Sequence, residues 1–177
     1  MKKLPYGLSD FPRLISEDYY YVDKTRYIEL LENQPNYLFL LRPRRFGKSL
    51  FLAMLETYYS VDYADRFEEL FGGLYIGKHA TKVHNKYLVL RFNFSIVSSN
   101  PDEMEQSFKT YCSSTITRFV KKYEYLLGSE IWSELSIFND SPGLMLDTLA
   151  RYISDNNCPH IYLLIDEYDN FTNTLLA

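Results

Sequence analysis

The sequence predicts an α/β fold in which helices cover a mainly parallel sheet in three layers. Short runs near residues 37–42, 87–94 and 161–166 have the length and composition of strands. The stretches between them carry helical spacing and cap signals, which suits strands joined by crossover helices rather than by hairpins. No internal repeat, low-complexity tract or linker divides the chain, so one domain spans 1–177, with a lead-in over 1–35 and a core over 36–177.

In chain order, Pro5 to Tyr20 mixes Gly7, Pro12 and polar residues and reads as a loop-rich lead-in. Asp23 is placed to cap a short helix through Glu32, whose apolar side is Tyr27, Ile28, Leu30 and Leu31. Asn33 to Asn36 break that helix. Tyr37 to Leu41 is a continuous apolar run, the pattern of a strand buried on both faces. From Gly47 to Tyr59, Leu50, Phe51, Met54, Leu55 and Tyr58 recur at helical spacing. Ala64 to Phe71 predicts a second short helix stopped by Gly72 and Gly73, and a polar loop runs on to Lys86.

Tyr87 to Phe94 alternates and is rich in β-formers. Asn100 as cap, Pro101 at the first helical position, and Asp102 and Glu103 in the first turn specify a helix start. That helix runs to about Tyr123, with Met104, Phe108, Tyr111 and Phe119 inward. A shorter helix covers Ser129 to Leu135, and Ser141 with Pro142 opens another through Ile153. Pro159 and His160 then lead into the apolar strand Ile161 to Ile165.

Composition narrows the function classes. With 177 residues, 46% hydrophobic and 24% charged, the chain can bury a substantial core. A net charge of −4 argues against a domain that gains its affinity by neutralising many phosphates of DNA or RNA. Most of the 17 Tyr and 12 Phe are read as core and sheet residues rather than a base-stacking surface. Cys112 and Cys158 form no C-x-x-C pair and no zinc-like cluster, which fits reduced structural thiols and a cytoplasmic setting. His79, His84 and His160 lack the spacing of a ligand set or of a nucleophile's base. No apolar run is long enough to span a bilayer, and the basic start has no apolar segment behind it.

Two segments carry chemistry. The first is Arg42-Pro43-Arg44-Arg45-Phe46-Gly47-Lys48-Ser49. A bound triphosphate needs backbone N–H groups at a helix start, a lysine for the outer phosphates and a hydroxyl for magnesium. Gly47, Lys48 and Ser49 supply these in order. A Gly-Lys-Ser or Gly-Lys-Thr triplet turns up by chance in about one chain of this length in ten, so the weight comes from its setting between an apolar run and an amphipathic helix. Arg42 stands where the usual P-loop pattern has its first glycine. Arg44 and Arg45 are placed either to meet phosphate or to hold a carboxylate such as Asp166 or Asp169.

The second segment is Ile161 to Ile165 running straight into Asp166-Glu167, a carboxylate pair at the carboxyl end of a strand, where parallel sheets build their sites. Asp166 is placed to hold a magnesium-bound water, and Glu167 to orient or deprotonate the attacking water. Asp169 suits a helix cap better than a metal ligand. The pattern predicts Mg2+ and ATP as cofactors, with Lys48 and Glu167 as catalytic groups and Ser49 and Asp166 as metal ligands. Arg44, Arg45, Phe46, Gly47, Lys48, Ser49 and Leu50 are the residues predicted to bind the nucleotide.

With these motifs placed, the chain resembles a family of bacterial AAA-ATPase-like proteins, relatives of the archaeal-type and STAND-like P-loop ATPases. The resemblance rests on Tyr6 to Phe11, Tyr21-Val22-Asp23-Lys24-Thr25, Arg42 to Leu50 and Leu163 to Phe171. It makes Arg42 a family trait, and implies a P-loop fold with Walker A and Walker B elements. ATP hydrolysis would drive a conformational change in a longer protein, of which this chain would be the N-terminal part. It implies further strands, a polar sensor residue and a helical lid later in the domain, and a C-terminal PD-(D/E)xK nuclease-like domain in many members. A homo-oligomer is an implied partner, since catalytic arginines can come from a neighbouring subunit. Tyr21 to Thr25 looks like the family's segment near the nucleotide base, or equally a structural strap. A module that senses nucleotide or binds protein without turnover is the alternative function.

Overall fold

The computed structural model describes residues 2–41, 43 and 45–168. The chain divides into two compact units, residues 1–87 and 88–177.

The first unit is helical. Asp10 accepts a hydrogen bond from the Arg13 amide and starts α1 (Phe11–Ser16), with Pro12 in its first turn. Here the loop-rich expectation gives way, because a proline early in a helix costs no hydrogen bond. α2 (Tyr27–Glu32) begins after Arg26 rather than at Asp23, whose carboxylate is engaged elsewhere. α3 (Lys48–Tyr59) is the helix its spacing predicts. Residues 61–66 form a 3₁₀ segment that leads into α4 (Phe67–Phe71), and the supposed polar loop contains α5 (Tyr75–Lys78).

The core of this unit is an aromatic and aliphatic cluster: Phe11, Leu14, Ile28, Met54, Tyr58, Leu70, Phe71 and Ile76 are almost wholly buried. Phe71 lies 5.1 Å from Phe11 and 5.4 Å from Tyr58, ring centre to ring centre, and thereby ties α4 to α1 and α3.

One expectation fails outright. Tyr37–Leu41 carry no regular secondary structure, and Tyr37, Phe39 and Leu41 are 89%, 77% and 76% exposed. Arg42, the end of the expected strand, lies outside the described residues. A strand is stabilised by the ladder beside it, and the described residues of this unit pair only at the isolated parallel bridges Lys3–Tyr19 and Ser60–Tyr87. Among the described residues, no ladder forms along this run.

The second unit is α/β. β1 (Leu88–Asn93) and β2 (Ile161–Asp166) pair in parallel, with Leu88 opposite Ile161 and Asn93 opposite Asp166. The segment joining them holds four α-helices and two short 3₁₀ turns. α6 (Pro101–Lys122) is capped by the Asn100 side chain, which accepts from the Asp102 amide. Asp102 and Glu103 in its first turn and Lys121 and Lys122 in its last complement the helix dipole. α7 (Glu124–Leu127), α8 (Ile131–Leu135) and α9 (Pro142–Asp155) follow. Ser141 precedes α9 without making the side-chain cap its type suggested.

α6 packs on both α9 and β1. Its deepest residues are Cys112, Ile116, Phe119 and Val120, so the inward face sits about a turn further along than Met104 and Phe108 implied. Along β2 only Leu164 and Asp166 are buried; Leu163 and Ile165 are 44% and 42% exposed. Burial thus alternates over the last three residues of the strand. The mixed α/β class holds, with a two-stranded parallel sheet among the described residues.

Candidate nucleotide-binding segments

Gly47 immediately precedes α3 with φ 76° and ψ 26°, a left-handed conformation that glycine reaches without steric cost. A methyl group built there meets no atom within 4 Å, so the demand on this position is conformational. The Gly47 carbonyl accepts from the Phe51 amide at 2.9 Å and closes the first turn. No side chain caps this helix. The amides of Lys48, Ser49 and Leu50 belong to the first turn, where helical N–H groups have no partner within the helix. Lys48, Ser49 and Leu50 are half-buried, while Arg45, Phe46 and Gly47 are exposed. Arg42 and Arg44 lie outside the described residues.

In the second unit, Asp166 ends β2 with 3% of its side chain exposed. Its Oδ2 accepts from Nη2 of Arg91 at 3.1 Å, and its Oδ1 accepts from the Glu167 amide at 3.1 Å. Among the described residues, the ion pair of this carboxylate comes from Arg91 in β1; Arg44, one of the two arginines the sequence offered for a carboxylate or for phosphate, lies outside them. Arg91 escaped notice because its partner lies 75 positions away. The available signal was a charged residue inside an otherwise apolar strand, which rarely persists without a counter-charge. Asp169 lies outside the described residues, so its reading as a cap stays where the sequence left it.

Backbone conformation marks both segments. Among the described residues, Asp18, Arg45, Asn85, Asn157 and Glu167 have positive φ without being glycine. Asp and Asn tolerate that region because their short side chains bond locally. Arg45 (φ 67°) and Glu167 (φ 52°) have no such excuse, and each sits in one of the two chemical segments.

Tyr21 to Thr25 is a strap. Asp23 Oδ1 accepts from the Thr25 amide at 2.8 Å and the Thr25 hydroxyl at 2.7 Å, and its Oδ2 accepts from the Tyr75 amide at 2.8 Å. The buried Thr25 hydroxyl accepts in turn from the Ile76 amide at 3.1 Å. Desolvation pushes the Asp23 pKa up, but the hydrogen bonds from Thr25 and Tyr75 outweigh it and hold the group below the usual carboxylate value. Burial raises the neighbouring Tyr21 phenol to about 12. The segment thus fastens the lead-in to the start of α5.

Within a mixed α/β chain, the first unit thus holds an uncapped helix after a left-handed glycine, and the second a buried carboxylate at a parallel strand end. Residues 5–177 match the family described as Predicted AAA-ATPase, AAA-ATPase-like, and the chain belongs to that family. A curated relative, an uncharacterized protein in the vnfD 5′ region of Azotobacter chroococcum mcd 1, is 46% identical over 76 residues. That match takes in 42% of this chain and 14% of the relative's length. No solved structure matches the chain. Among the described residues, no helix is long and apolar enough to cross a membrane, and no group of three or more His, Cys, Asp or Glu is placed to hold a metal ion.

Proposed function

We propose that this chain binds ATP with magnesium within a three-layer P-loop core, and that the full-length protein hydrolyses the nucleotide to drive a conformational change. Family membership supports nucleotide binding in general. The observation that carries the specific reading is the start of α3, where left-handed Gly47 leads into uncapped amides and the next two side chains are Lys48 and Ser49. A helix start of this kind favours phosphate through its free N–H groups and its dipole.

In this reading the amides from Arg44 to Leu50 cradle the phosphates, with Phe46 and Arg45 at the rim. Lys48 neutralises the outer phosphates, Ser49 and Asp166 take the metal side, and Glu167 orients or deprotonates the attacking water. A hydroxyl and a carboxylate are hard oxygen donors of the kind magnesium prefers, and one or two such protein ligands suffice when phosphate and water complete the octahedron. The chemistry magnesium supplies when bound is neutralisation of charge on the phosphate oxygens. A homo-oligomer and a fused nuclease-like domain belong to the same proposal for the longer protein.

Lys48→Ala is expected to abolish magnesium-dependent ATP binding in calorimetry, and unchanged affinity would reject the assignment. Single-turnover hydrolysis by the full-length protein, with Glu167→Gln as control, separates an ATPase from a module that binds nucleotide without turnover.

A further inference from the structure

We infer that Arg91 is a positioning residue that sets how readily a divalent cation takes up the Asp166 side of the site; this rests on the reading of Asp166 as the magnesium-side carboxylate. The parallel register places Arg91 opposite Leu164 and Asn93 opposite Asp166, so Arg91 and Asp166 project from the same face of the sheet, two residues apart along the strands. Their side chains meet at 3.1 Å, with Asp166 almost wholly buried and Arg91 25% exposed.

A buried carboxylate needs a counter-charge, and removing its partner leaves a charge that the interior does not solvate. Arg91 supplies that charge. It also aims the group, because Oδ2 is held by the guanidinium while Oδ1 is held by the Glu167 amide. A carboxylate has about four lone-pair sites. Two remain for a metal-bound water, so the ion pair and a cation can share Asp166.

The sharing has a consequence for affinity. The guanidinium is a fixed positive charge close to where the cation would sit, and repulsion across a few ångströms in a partly buried site is strong. Arg91 therefore raises the magnesium concentration that nucleotide binding needs, while keeping Asp166 in place between turnovers.

The test is calorimetric titration of ATP into the full chain at a series of MgCl2 concentrations, comparing wild type with Arg91→Gln and Arg91→Lys. Glutamine keeps a donor toward Asp166 without the charge, and should lower the half-saturating magnesium concentration roughly tenfold or more. Lysine keeps the charge and should leave it within about twofold. A merely structural role would lower the melting temperature without moving that concentration. An unchanged or higher magnesium requirement in Arg91→Gln, with wild-type binding intact, overturns the inference alone. If wild type itself shows no magnesium-dependent ATP binding, the underlying reading falls and this inference with it. If Arg91→Gln does not fold, Arg91→Lys decides: a shift beyond about tenfold in either direction rules out charge competition.

Discussion

Tyr37–Leu41 and Ile161–Ile165 are nearly interchangeable as sequence: five residues each, aromatic and aliphatic, directly ahead of a polar motif. In the folded chain they diverge. Ile161–Ile165 belongs to a strand with a parallel partner, and buries Leu164 and Asp166 on one face. Tyr37–Leu41 has no assigned strand and leaves most of its side chains in solvent. Apolar composition permits a strand, and a ladder partner with a covering layer makes one.

The widest gap in measured stability should appear between matched truncations. Leu90→Ala, in β1 where the side chain is 1% exposed, is expected to cost about 2–5 kcal/mol in chemical denaturation. Phe39→Ala, at a position 77% exposed, should stay within about 0.5 kcal/mol. A large loss at Phe39 would show that residues 37–41 are buried in solution, and would break the contrast.

Next comes the strap. Asp23→Ala removes a carboxylate that accepts from Thr25 and Tyr75, and should cost about 1–2 kcal/mol at neutral pH. Because the folded-state pKa of Asp23 is depressed, its contribution is complete above the ordinary carboxylate value and is lost as pH falls through the folded value. Stability curves of wild type and variant should therefore converge in acid; a gap that persists there would mean the bonds do not depend on the charge.

Gly47→Ala should cost about 1 kcal/mol, because φ 76° is strained for any residue with a β-carbon. It should also weaken ATP binding well beyond that stability loss. Full affinity in this variant would separate the helix start from the nucleotide.

The smallest effect concerns the thiols. Burial pushes the Cys112 thiol up to about 11, so at pH 8 the half-buried Cys158 should be alkylated ahead of the buried Cys112. Equal labelling would show that the helix carrying Cys112 opens readily.

Much of the second unit could be read before folding. The start of α6 at Asn100-Pro101 is written in adjacent residues, and so is the strand that ends at Asp166. The helix that follows Gly47 was legible for the same reason, since the spacing of Leu50, Phe51, Met54, Leu55 and Tyr58 is a local pattern. The strap was only half legible: Asp23 looked like a cap, and its actual donor at Tyr75 lies 52 residues away.

By itself, then, the sequence determined what neighbours can enforce: the Asn100 cap, helical periodicity and the order of the two chemical segments. Tertiary structure alone decided which apolar run gained a strand partner, the parallel register of β1 with β2, and the pairing of Arg91 with Asp166. The physical reason is range. A cap or a turn is fixed within four residues, whereas a ladder or a buried ion pair needs groups that loop closure must first bring together.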